Sequence, residues 1–121
     1  MLTATENEHF DILRLLNKYS HSKFKNNCLV HACHLRNFAA VSFLVFLGAD
    51  VNCKIPDEFS PIHYAARYGD MKILELLVQH GANLELETDT DTGRLWRALH
   101  FAAYNGRAEA VQFLCNKGFF L

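Results

Sequence analysis

The chain has 121 residues, half of them hydrophobic, with 12 basic and 13 acidic side chains and a net charge of −1. That is the length of one domain with enough apolar material to build a core, which excludes a disordered chain. The densest basic stretch is KFKNN at 23–27 and the longest apolar run is FAAVSFLVFL at 38–47, half of a membrane-crossing helix, so neither nucleic-acid binding nor membrane insertion is expected.

The N-terminal stretch MLTATENEHFD carries acids and no basic-then-apolar pattern, so no secretory signal is expected. Four cysteines (28, 33, 53 and 115) show no disulfide-scaffold spacing, which points to a reduced intracellular setting, cytoplasm or nucleus. Next, ENEHFDILRLLNKYS places Phe10, Ile12, Leu13, Leu15 and Leu16 at helical spacing and predicts a lone amphipathic helix over about 5–22.

From residue 28 the chain repeats. SPIHYAARYGDMKILELLVQHGANLE at 60–85 aligns with RALHFAAYNGRAEAVQFLCNKGFFL at 97–121. Ile62-His63 matches Leu99-His100, Ala65-Ala66 matches Ala102-Ala103, Gly69 matches Gly106 and Gly81 matches Gly118. The interval from His63 to Gly81 equals that from His100 to Gly118. CLVHACHLRNFAAVSFLVFLGADVN at 28–52 is a looser third copy. In it Val30-His31 takes the Ile-His place and Gly48-Ala49-Asp50 takes the place of Gly81-Ala82-Asn83. The interval from His31 to Gly48 is one position short, with the shortening expected near Asn37, where the other copies have Gly69 and Gly106.

Each copy predicts two helices. Ser60-Pro61 is an N-cap followed by proline at the first helical position. Ala65-Ala66 keeps the first helix thin, and Gly69 and Gly106 permit a turn with positive φ. MKILELLVQHG then gives an apolar face of Ile73, Leu74, Leu76, Leu77 and Val78 closed by Gly81, and EAVQFLCNKG does the same with Ala110, Val111, Phe113 and Leu114.

The set resembles the ankyrin repeat, whose period is 33 and whose signature is T-P-L-H-x-A. Here the signature reads Ser60-Pro61-Ile62-His63-Tyr64-Ala65, then Arg97-Ala98-Leu99-His100-Phe101-Ala102, and most loosely Cys28-Leu29-Val30-His31-Ala32-Cys33. GADVN at 48–52 and GANLE at 81–85 match the family's repeat ending. The resemblance implies an all-α ankyrin-repeat solenoid of stacked helix-turn-helix units with β-hairpin finger connectors. A starting half-repeat over about 5–22 would precede repeats over about 23–53, 54–90 and 91–121.

Three groups of residues invite a chemical reading. His31, His63 and His100 recur at one repeat position, but stacked repeats lie about 10 Å apart, too far for shared coordination. Each imidazole is instead expected to bond backbone in a neighbouring connector. Cys28, His31, Cys33 and His34 lie close together in the chain, yet structural zinc sites draw on two separate ligand pairs, and Cys33 falls where the family packs an alanine. ETDTDTGRLWRALH at 87–100 fails as a calcium loop in both registers: starting at Asp89, loop position 6 is Arg94 and position 12 is His100; starting at Glu87, they are Thr92 and Ala98. No nucleophile–base–orienter set and no glycine-rich phosphate loop emerges, so no catalytic residue, metal or cofactor is expected.

The interval from Gly81 to His100 exceeds that from Gly48 to His63 by four, so the second connector is the longer one. The acidic, threonine-rich TDTDTG suits a solvated finger tip, as a partner contact or as a tolerated insertion. The family resemblance implies a non-catalytic protein-interaction module, an adaptor, scaffold or inhibitor, that binds through finger tips and the exposed side of the first helices. The alternative is a regulatory or targeting module of a larger enzyme, channel or ubiquitin-ligase adaptor. Carried onto this chain, the variable finger positions fall at 54–59 and 94–97, with Phe59, Arg94, Trp96 and Arg97 as the contacts on the fingers. On the first helices they are Tyr64, Arg67, Tyr68, Phe101, Tyr104 and Asn105, with Leu35 and Arg36 at the matching place upstream. Tyr, Trp and Arg are the residue types enriched at interface hot spots. After Gly118 the chain departs from the family with Phe119-Phe120-Leu121, an apolar ending that suggests a fragment, a short isoform, or a last face that docks on something, self-association included.

Overall fold

Residues 22–56, 58–90 and 93–117 are described by the computed structural model. All but the last residue of the lone helix expected over about 5–22, the finger tip at Asp91 and Thr92, and the ending at 118–121 lie outside them. The described residues form helices α1 (Ser22–His34), α2 (Phe38–Phe46), α3 (Pro61–Tyr68) and α4 (Met71–Gln79), strands β1 (Thr88–Asp89) and β2 (Leu95–Trp96), and helices α5 (Ala98–Tyr104) and α6 (Ala108–Asn116).

The helices come in three antiparallel pairs whose partners make two layers. The first helices α1, α3 and α5 pack side by side, and the second helices α2, α4 and α6 form a layer behind them. Leu29, Ile62, Ile73, Leu74, Leu77 and Leu114 are fully buried between the layers, at the apolar positions that a helical period brings to one face. Side chains at the turns start the second helices. The Asn37 carboxamide accepts from Ala40 N at 3.1 Å and the Asp70 carboxylate from Ile73 N at 3.2 Å, each satisfying a donor that the helix start leaves open.

Hydrogen bonds and close approach tie the units together. Asn52 donates its Nδ2 to the Gly81 carbonyl at 3.1 Å and accepts from Asn83 N at 2.6 Å. Arg107 Nε donates to the Arg67 carbonyl at 3.1 Å. A Cβ on Gly69, which has φ +66, would stand 2.8 Å from the Arg107 side chain, so this glycine serves both the turn and the clamp.

The first repeat corrects the sequence reading by one position. Arg36, with φ 58, holds the left-handed turn position that Gly69 and Gly106 hold, while Asn37 is the N-cap that matches Asp70. Val30, buried, therefore takes the histidine place, and His31 is exposed one step further round the helix. Counted from Val30, the interval to Gly48 equals that from His63 to Gly81, so the unit is not shortened. The spacing ambiguity arose because Leu29-Val30 and Val30-His31 both read as an apolar residue before the key position. The positions that follow the small pair are accordingly His34 and Leu35 rather than Leu35 and Arg36.

A left-handed conformation at a residue with a Cβ costs about 1–2 kcal/mol. Arg36→Gly removes that cost but also the guanidinium stacked 5.3 Å from the Tyr68 ring centroid, a contact worth about 0.5–1 kcal/mol. The expected outcome is a net gain of about 0.5 kcal/mol, read as a higher urea midpoint with an unchanged slope.

Candidate functional site

Aromatic rings run across the first-helix layer from one repeat to the next. The His34 ring on α1 meets Tyr64 on α3 edge-on with centroids 4.9 Å apart. Tyr64 stacks on Tyr68 at 6.3 Å and touches Phe59 of the first connector at 5.5 Å. Phe59 reaches Phe101 on α5 at 5.0 Å. Trp96 on β2 leans on Phe101 at 5.1 Å, on Tyr104 at 5.2 Å and over His100 at 6.2 Å. Arg67 lies over Phe59 at 5.9 Å and over Tyr68 at 5.7 Å. Offset and tilted rings at about 4.5–7 Å gain from their quadrupoles as well as from area, so the strip is held in one arrangement.

Burial divides the strip in two. Tyr64 and Phe101 are buried and support it from below, whereas Phe59, Tyr68 and Trp96 are half-buried and Tyr104 is 78% exposed. Phe59 thus folds onto the buried rings of Tyr64 and Phe101 and bridges two repeats, while Tyr104 stays open to solvent. The Tyr64 hydroxyl donates to Glu58, and burial together with that carboxylate pushes its pKa up to about 12. The Tyr68 hydroxyl lies 3.3 Å from His34 Nδ1.

The remaining expected contact residues stand apart from the rings. Arg97 pairs with Glu87 at 3.3 Å, both side chains well exposed, an ion pair of small energetic weight. The Arg94 carbonyl accepts from Thr90 N at 3.1 Å and holds the finger closed, and Asn105 Nδ2 donates to the Phe101 carbonyl of its own helix at 2.8 Å. Sequence reasoning did not place His34 in the strip, and it had Glu58 only within the finger range 54–59. His34 becomes legible once the first repeat is aligned on Val30, which puts it in the column of Arg67 and Tyr104.

The recurring histidines separate in role. His63 is fully buried, and its Nε2 donates to the Leu86 carbonyl at 2.8 Å, binding its repeat to the next connector as expected. His100 instead uses Nδ1 to accept from Arg97 N at 2.9 Å, within its own repeat, and His31 is exposed. The cysteine–histidine group diverges: Cys33 is buried, with its thiol raised by burial to about 12, Cys28 is half-buried, and His31 and His34 face solvent. Among the described residues no three His, Cys, Asp or Glu side chains are placed to hold one metal ion.

Burial lowers the His63 pKa from its ordinary 6.5, the bond to Leu86 only partly opposing this. The folded chain therefore resists a proton that the unfolded chain accepts, and stability rises with pH in that window. Full stability is expected above about pH 6.5, eroding as the pH falls from there towards the lower folded value. The slope from this one group is at most about 1.4 kcal/mol per pH unit. Urea unfolding between pH 7.5 and 5.5 should show this loss in the native chain and a flatter profile in His63→Gln.

The model of the family described as ankyrin repeats, in three copies, matches residues 29–121. The chain belongs to the ankyrin-repeat family. Its ankyrin repeats are similar to a stretch of the human transient receptor potential cation channel subfamily A member 1, 32% identical over 90 residues. They also resemble the Notch-regulated ankyrin repeat-containing protein of Xenopus tropicalis, 32% identical over 68 residues, and ankyrin repeat and SOCS box protein 11 of Danio rerio, 42% identical over 52 residues. The matched stretches are 74%, 56% and 43% of this chain, and 8%, 56% and 17% of those proteins. The chain thus spans under two thirds of each relative's length. Ankyrin repeats are protein–protein interaction modules, and among the described residues no helix is long and apolar enough to cross a membrane.

Proposed function

We propose that this ankyrin-repeat chain is a non-catalytic interaction module, an adaptor, scaffold or inhibitor, that holds a partner protein against its finger connectors and aromatic first-helix face. The observation that carries the reading is the ring network from His34 to Tyr104. It sets a rigid aromatic surface beside Arg36 and Arg67 and leaves Tyr104 and part of Trp96 open. Preorganised aromatic and arginine side chains supply large contact area at small entropic cost, which is why they dominate hot spots. Phe59, Tyr68, Trp96 and Tyr104 are the proposed contacts, with Arg67, Arg94, Arg97 and Asn105 around them and Tyr64 and Phe101 beneath. The interface is of standard size, on the order of 1,600 Å² in total, and an intracellular compartment suits the free cysteines. Affinity capture from cells with the wild-type chain and with Trp96→Ala plus Tyr104→Ala tests the assignment.

A second reading, a regulatory or targeting ankyrin module within a longer protein, is favoured by relatives in which the matched stretch is 8% or 17% of the whole. The apparent mass of the endogenous protein on an immunoblot distinguishes the two.

A further inference from the structure

Between the two connectors lies a cleft of about 770 Å³. One wall is the first connector, with Ile55, Pro56, Glu58 and Phe59; the other is the outer side of β1, residues 87–90, with Leu95 at its rim. The β1–β2 ladder pairs Thr88 with Trp96 and Asp89 with Leu95, and continues as Thr90 N bonds to the Arg94 carbonyl. Antiparallel pairs alternate between bonded and non-bonded. Thr88 and Thr90 are therefore the residues whose backbone faces β2, and Asp89 turns its N–H and C=O outward, into the cleft.

The opposite wall does not fill that edge. The first connector is the shorter by four, is not a strand among its described residues, and places Pro56, which has no N–H, across the gap. An outward N–H and C=O pair on an exposed edge is a template for another strand. Apolar side chains on both walls, with Leu95 56% exposed, give alternate side chains of such a strand somewhere to sit.

We infer that this cleft takes an extended peptide segment bearing lysine or arginine, added as a third strand on the free edge of β1. The inference rests on the interaction reading above and specifies the partner's chemistry. Charge selects the occupant. Among the described lining residues Glu58, Glu87 and Asp89 stand against one cation, Lys54, and with Glu87 paired to Arg97 it is Glu58 and Asp89 that attract a basic strand. A second copy of β1 would bring Glu87 and Asp89 against their own equivalents, and like charges directly opposite destabilise a pair.

The test uses the full ¹⁵N-labelled chain and the synthetic peptide Lys-Val-Lys-Thr-Lys-Val-Lys at low salt. Amide shifts are expected at 86–90 and 54–59, with at least tenfold weaker binding when every second peptide nitrogen is methylated. Glu58→Gln plus Asp89→Asn is expected to weaken binding about fivefold and to flatten its salt dependence, and a peptide with Glu in place of Lys is expected not to bind. Equal binding of the methylated peptide, equal binding of the Glu peptide, shifts confined to Tyr68 and Tyr104, or β1 shifts that follow protein concentration without peptide would each overturn the inference. If no peptide binds while Trp96→Ala plus Tyr104→Ala still abolishes capture of the cellular partner, the cleft assignment fails and the interaction reading stands. If the double variant keeps full partner affinity, the interaction reading fails and takes this one with it.

Discussion

Leu77→Ala is expected to lower the unfolding free energy by about 3 kcal/mol, within the range of about 2–5 kcal/mol for leucines deleted from a packed interior. Leu77 is fully buried on α4, the middle helix of the second layer, which packs against α3 within its own unit and against α2 and α6 on either side. In a stack of this kind stability is close to a sum of unit and nearest-neighbour terms, so a cavity in the central unit weakens both of its interfaces at once. Chains of this size have about 5–15 kcal/mol in all, and a loss of this order brings the variant near its unfolding midpoint at modest urea. Phe46, a larger apolar residue on α2 but 82% exposed, is the control: Phe46→Ala is expected to change stability by less than about 0.5 kcal/mol. Circular dichroism during urea titration measures both. A Leu77→Ala loss below about 1 kcal/mol would contradict the stacked core.

The double variant Trp96→Ala plus Tyr104→Ala is expected to weaken partner binding at least 30-fold, the equivalent of about 2 kcal/mol. Both rings belong to one contact, 5.2 Å apart, at the open end of the aromatic strip. Tyr104 is mostly exposed, so its truncation leaves the fold near its native stability. Trp96 rests on Phe101 and over His100, so its loss exposes the top of α5, and a thermal melt of each single variant separates that effect from binding. Tyr104→Ala alone is the cleaner probe. Native stability with a tenfold or greater loss of affinity supports the surface assignment; unchanged affinity in the double variant removes it.

Much of the architecture was legible without coordinates because repeat proteins write their packing into spacing. The intervals between glycines, the alanine pair of the second and third units and the helical period of the apolar positions all report local requirements: positive φ, close approach of helices and a buried stripe. The longer interval before His100 announced a longer connector, and that connector carries the β1–β2 ladder. The first unit misled because two neighbouring residues, Val30 and His31, both satisfied the pattern. One step along a helix is a rotation of about 100°, and only packing decides which of the two faces the core.

The amino-acid sequence determined the family, the number of helical pairs among the described residues and the aromatic and arginine content of one face, because these follow from periodicity and residue type. Tertiary structure decided that Val30 is interior and His31 exterior, that Tyr64 and Phe101 are the floor of the strip rather than its surface, that Phe59 bridges two units, and that Asp89 lines a cleft between the two connectors. Each of these depends on how one unit sits against the next, and the distances between side chains on separate units are set by stacking, which no local stretch of chain contains.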